Sequence, residues 1–132
     1  AGQAQKETFV NEVAARIDAL LHGAVESELA APPASPADGQ NWLIASAASG
    51  EWIGKTGQIA ARQAGNWLYV QPRDGMRILN KATGQNICFK GSWLAPPRPV
   101  SPTGGAVVDA EARAAIVAVI ACLTSAGIVP QP

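Results

Sequence analysis

Two proline-rich stretches cut this chain into three pieces and bound what it can fold into. Residues 31–39, Ala-Pro-Pro-Ala-Ser-Pro-Ala-Asp-Gly, and residues 95–102, Ala-Pro-Pro-Arg-Pro-Val-Ser-Pro, cannot continue a helix, because proline lacks the amide hydrogen and its ring clashes with the preceding turn. Any regular pattern must therefore begin and end within one piece. The pieces predict an α+β fold: an N-terminal amphipathic helix within residues 1–30, a small antiparallel β module with Gly-x-Trp turns over residues 40–98, and a C-terminal helix within residues 106–128.

In the first piece Val10, Val13, Ile17 and Leu20 recur at spacings of three and four between Lys6 and His22, and Phe9 and Leu21 widen the stripe. β-Branched residues along such a seam suit a helix that packs against copies of itself. Gly23 reads as its stop, with His22, the single histidine, as a capping or surface residue. In the last piece Asp109 is a good N-cap, and Gly127 followed by Ile128 fits a left-handed glycine terminus. Ile116, Val119, Ile120 and Leu123 form a stripe there, but Val117 and many alanines make almost the whole circumference apolar, which predicts a buried helix. Both stripes are candidate oligomerisation surfaces.

No helical period persists in the middle piece. Short β-prone runs, 42–45, 58–62, 67–71, 76–79 and 86–89, alternate with glycines. Asp74-Gly75 predicts a tight hairpin between the third and fourth runs, and Thr83-Gly84 a second turn, so an antiparallel meander is expected. Gly50-Glu51-Trp52, Gly65-Asn66-Trp67 and Gly91-Ser92-Trp93 repeat one device at unequal spacing: the glycine takes the left-handed turn and the tryptophan opens the next strand. These tryptophans read either as the core of a small sheet or as an exposed platform for sugar rings. Trp67, Tyr69 and Gln71 share one strand face and Leu68 and Val70 the other. Trp67 and Tyr69, with Arg77 across the expected hairpin, therefore form the candidate outward platform. Trp52 and Trp93 complete the candidate glycan-binding set.

With 132 residues, 48% of them hydrophobic, and no net charge, the chain suits one folded domain with a modest core. The neutrality hides an acidic first segment, net −4 over residues 1–39, and a basic middle, net +5 over residues 40–98. That basic surface can meet an acidic polysaccharide, a nucleic acid or the chain's own acidic helices. No stretch is long and apolar enough for a membrane span. The chain opens at Ala1 without a charged-then-apolar leader, so no signal peptide is expected. Cys88 and Cys122 match neither metal spacing nor a disulfide framework and read as free, buried thiols.

The segments Gln3-Ala-Gln-Lys-Glu-Thr8, Asn11-Glu12, Arg16-Ile-Asp-Ala-Leu20, Trp52-Ile-Gly-Lys-Thr-Gly-Gln-Ile-Ala60, Gly65-Asn-Trp67 and Pro72-Arg-Asp-Gly75 resemble a domain of unknown function from alphaproteobacterial prophages and gene transfer agents. It occurs in appendage proteins such as tail fibres and head spikes, and the resemblance spans residues 3–95. Val108-Asp-Ala-Glu-Ala-Arg-Ala-Ala-Ile116 and Ser125-Ala-Gly-Ile128 are similar to helical segments that close phage fibre and spike proteins. The resemblance implies a virion part made in the bacterial cytoplasm, assembled as a homo-oligomer with a trimer as first expectation. It implies docking to capsid or tail proteins and contact with host capsular polysaccharide, and it supplies no catalytic residue, cofactor or metal. A polysaccharide-degrading enzyme is the alternative, but glycosidases need two facing carboxylates and the middle piece offers only Glu51 and Asp74. Nucleic-acid binding is the third class, against which the basic residues stand singly rather than clustered.

Overall fold

A computed structural model describes residues 2–21 and 23–132, with the side chains of the first helix from Lys6 onward. His22 lies outside the described residues. The elements are α1 (Gly2–Leu21), β1 (Ala24–Val25), β2 (Glu28–Leu29), β3 (Asn41–Ile44), a 3-10 turn (Gly50–Trp52), β4 (Ile59–Gln63), β5 (Asn66–Val70), β6 (Arg77–Asn80), β7 (Gln85–Phe89), β8 (Trp93–Leu94) and α2 (Ala110–Ser125). Two helices thus flank two small, mostly antiparallel sheets, an α+β arrangement.

One sheet has the order β1-β6-β7-β8 and the other β2-β3-β4-β5. Each is an antiparallel meander with one short parallel strand on its edge: β1 beside β6, and β2 beside β3. The parallel pairs depart from the wholly antiparallel expectation. They arise because residues 24–29, expected inside the helical piece, run from the edge of one sheet to the edge of the other. Lys81 N donates to Val25 O at 2.9 Å on the first sheet, and Leu43 N donates to Ser27 O at 3.0 Å on the second. The Lys81–Glu26 ion pair at 2.7 Å ties the same strap to the basic middle. Gly23 admits the strap: a Cβ there would stand 3.1 Å from Ile78 Cγ2 and 3.2 Å from the Arg77 carbonyl oxygen. Its need for glycine is close approach rather than a left-handed stop.

Side-chain alternation divides the second sheet between two cores. Leu43, Ile59 and Val70 point at the first sheet and meet Val25, Ile78 and Ile87. Trp42, Ile44 and Ala60 point the other way, where the 3-10 turn lays Trp52 over them and Trp67 and Tyr69 pack alongside. The Ala64-Gly65 turn between β4 and β5 has positive φ at both positions, 48° and 74°, as a tight primed hairpin requires. Asp74-Gly75 does not close a β5–β6 hairpin as expected. It carries the chain from one sheet to the other, with Asp74 Oδ1 accepting from Gly91 N at 2.7 Å and Gly75 N donating to Phe89 O at 2.9 Å.

α2 opens on Asp109, whose carboxylate accepts from Ala112 N at 2.8 Å, and closes on Gly127 at φ 67°, with Ile128 N reaching back to Leu123 O at 2.9 Å. Its far end is clamped to the first sheet. Buried Gln85 donates from Nε2 to Ile128 O at 2.9 Å and Pro96 O at 2.8 Å, and Asn86 N donates to Gly127 O at 2.6 Å. Within the chain α2 is not the buried helix expected: Ile120 and Thr124 are covered, Leu123 is half-buried, and Ile116, Val117 and Val119 face solvent. Cys122 on the same helix is exposed and Cys88 half-buried, both as free thiols, so the expected burial fails at Cys122.

Trp52 is fully buried, and its indole Nε1 has no hydrogen-bond partner among the described residues. Leaving that N–H unmade costs about 1–3 kcal/mol, whereas burying the ring contributes about 4–6 kcal/mol, so the ring decides. Trp52→Ala should therefore destabilise the chain by about 3–5 kcal/mol, read as a lowered midpoint in urea unfolding. A loss within 1 kcal/mol would remove Trp52 from the core.

Candidate functional site

Trp67 is the hub of the outer core. Its ring meets Trp42 edge-on at 5.7 Å between centroids and Trp52 at 5.2 Å. Arg62, its cross-strand partner, lays a guanidinium 5.0 Å from the Trp67 centroid, and Lys55 holds its ammonium 5.0 Å from the Tyr69 centroid. Tyr69 donates its hydroxyl to Glu51 O at 3.0 Å, pinning the 3-10 turn to β5.

The five candidate glycan residues separate on this frame. Trp52 is enclosed and unavailable to a ligand. Trp67 and Tyr69 do share a face, but cations from their own chain cover their rings. Arg77 is not across a hairpin from them: it lies on β6 in the other sheet, opposite Cys88. Trp93 is also on that sheet, half-buried, edge-on to Phe89 at 5.3 Å and donating from Nε1 to Gly57 O at 2.9 Å. Arg62 and Lys55 were not singled out from sequence, although alternation across the Ala64-Gly65 hairpin places Arg62 opposite Trp67.

α1 builds a second feature. It rests Ala15 and Ala19 on the hairpin end of the β4–β5 face, the two small residues letting the backbones approach. Arg16 reaches the sheet edge, donating to Tyr69 O at 3.3 Å while bound to Glu12 at 2.8 Å. Between helix and hairpin is a groove of about 550 Å³. Asn11, Glu12 and Asp18 form its helix wall, and Gln63, Asn66 and Trp67 its hairpin wall.

This seating turns the apolar stripe of α1 outward. Phe9, Val10, Ile17 and Leu21 are 57–70% exposed, and Val13 and Leu20 about 40%. In heptad terms the apolar positions face solvent and the opposite, small-residue face is packed. The expected oligomerisation residues of α1 thus all stand on one free surface. On α2, Ile116 and Val119 are exposed while Ile120 packs against the chain itself.

A family model described as "Protein of unknown function (DUF2793)" matches residues 10–94. The chain belongs to the DUF2793 family. No curated protein matches it. The DUF2793 span takes in most of α1, the groove and both sheets, and ends with β8, short of α2. Among the described residues no cluster of three His, Cys, Asp or Glu is placed to hold a metal ion, and no helix is long and apolar enough to cross a membrane.

Tyr69 reports on this DUF2793 core. Burial, and then the nearby Glu51 carboxylate, raise its phenol above the ordinary 10.0. The folded chain therefore keeps a proton that the unfolded chain releases near pH 10, so the contribution is intact below that pH and lost as pH rises through the folded value. Because Tyr69 is the sole tyrosine, phenolate absorbance should titrate above pH 10 in the folded chain. Stability should fall over the same window, and Tyr69→Phe should remove that part of the fall. A midpoint at or below the ordinary value would contradict the burial.

Proposed function

We propose that the chain is a structural and adhesive subunit of a phage-like particle appendage, a spike or fibre, which assembles through its helices and contacts a host cell-surface polysaccharide. The observation that carries the assembly half is the outward stripe of α1. Six large apolar residues on one helix face are left in water while two alanines on the other are packed, and a patch of this kind marks a protein–protein surface.

A further copy of the same chain is the favoured partner. The stripe keeps the heptad register of a self-packing seam, and Phe9 and Leu21 on its flanks make it wider than a two-stranded seam needs, which favours three copies. Lys6 and Glu7 close one end. In a parallel bundle Lys6 meets Glu7 of the neighbouring copy, whereas an antiparallel one sets both charges against Leu20 and Leu21. The exposed apolar side of α2 offers a second contact to copies or to capsid and tail proteins. The virion setting, and manufacture in the bacterial cytoplasm, rest on the resemblance of the α1 and β4–β5 segments to appendage proteins.

Light scattering and sedimentation of the full chain test the assembly. An oligomer is expected, and Val13→Asp with Ile17→Asp should leave a monomer with unchanged circular dichroism and tryptophan fluorescence, because both side chains are exposed and belong to neither core cluster. A wild-type chain that stays monomeric at high concentration would overturn it. Cross-linking of intact particles should find the chain on the particle surface beside capsid or tail proteins, and its absence there would remove the virion setting.

A further inference from the structure

The groove between α1 and the β4–β5 hairpin has a wall of backbone as well as of side chains. Arg62 N donates to Gln40 O at 2.9 Å and Arg62 O accepts from Gly39 N at 2.8 Å, so both of its main-chain groups are spent on the β3 side. In an antiparallel ladder the residue opposite then points its own N–H and C=O away from the pair. That residue is Trp67, on the free edge of the sheet. The same alternation turns the groups of Tyr69 outward, and there Arg16 already occupies the carbonyl. Among the described residues the edge therefore offers one open donor and acceptor pair, at Trp67, a residue that lines the groove.

The same groove is lined by Asn11 and Gln63, whose side-chain amides both donate and accept, by Asn66, whose amide already donates to Ala64 O at 3.1 Å, and by the acidic Glu12 and Asp18. Ala15 and Leu68 give the groove an apolar floor. Sugar hydroxyls also donate and accept at once, adjacent hydroxyls suit a carboxylate, and the C–H faces of the ring suit an apolar floor. An acidic sugar is disfavoured, because the groove carries two carboxylates, no lysine lines it, and the Arg16 guanidinium is held by Glu12 and Tyr69 O. An extended peptide is disfavoured as well. A strand added to β5 would have to run past Tyr69 O, where Arg16 and α1 already lie.

We propose that this groove is a binding site for a short stretch of neutral saccharide. The assignment rests on the adhesive half of the function proposed above and moves it away from the aromatic platform, where Arg62 covers the Trp67 ring and Lys55 covers Tyr69.

Backbone amide NMR shifts of the full-length chain test it, with tetrasaccharides of β-1,4-linked glucose, N-acetylglucosamine, α-linked mannose and galacturonate, and a six-residue extended peptide, as probes. At least one neutral probe should shift resonances within residues 11–18 and 63–68, and galacturonate should not. Asn11→Ala and Gln63→Ala, both at exposed positions, should weaken that binding about tenfold, as expected for a lost hydrogen bond or two, with the spectrum otherwise unchanged. Shifts confined elsewhere, galacturonate or peptide binding as tightly as the neutral sugars, or no neutral probe binding would overturn it. The Val13→Asp, Ile17→Asp chain separates the two proposals. Groove shifts that survive in the monomer keep the site whatever becomes of assembly, and an assembled wild type blind to every neutral probe loses the site alone.

Discussion

The constraint on which the rest of this structure depends is that one four-stranded sheet, β2-β3-β4-β5, is covered on both faces by its own short chain. Its inner face meets the second sheet through Leu43, Ile59 and Val70, and its outer face is closed by three tryptophans, with Trp52 folded over Ala60 from a 3-10 turn. Each ring buried contributes about 4–6 kcal/mol, a large share of what so small a core can supply. With both faces taken, the helices have only the margins. α1 gains a seat two alanines wide at the hairpin end, and α2 is hooked on at its far end by Gln85. Their apolar stripes are left over, and the proposed assembly follows from that remainder.

Much of this was legible in the sequence because it is written locally. Five of the six strands of the middle piece, all but the two-residue β8, fall within a residue or two of their expected positions, since glycines bound each run. The caps of α2 were readable because Asp109 and Gly127 act on their own turns. The strap of β1 and β2 was not legible: a two-residue strand has no period, and Ala24 to Ala30 contains nothing that forbids helix. Asp74-Gly75 misled for a different reason. The same turn chemistry serves a hairpin and a crossing between sheets, and only the pairing of β6 with β1 and β7 distinguishes them.

The candidate site divides in the same way. Trp67 and Tyr69 share a face by strand alternation, which any reading of the run finds. That Trp52 is enclosed depends on a 3-10 turn folding back across the sheet, and that Arg62 and Lys55 cover the two aromatic faces depends on register. The groove is the least legible part, because its walls come from α1 and from a hairpin roughly fifty residues further along. No motif marks that juxtaposition. The charge asymmetry also finds a local use: Lys81 of the basic middle pairs with Glu26 of the acidic first segment.

The central claim is that α1 shows its apolar stripe to its surroundings and its alanines to its own sheet, and that other copies cover the stripe. Thiol labelling of single cysteines at positions 13 and 15, in a chain with Cys88→Ser and Cys122→Ser, tests this directly. The account predicts that Val13→Cys labels readily at high dilution and becomes protected as concentration rises, while Ala15→Cys is protected throughout. Rapid labelling at position 15, or labelling at position 13 that stays rapid at the highest concentration, would contradict it.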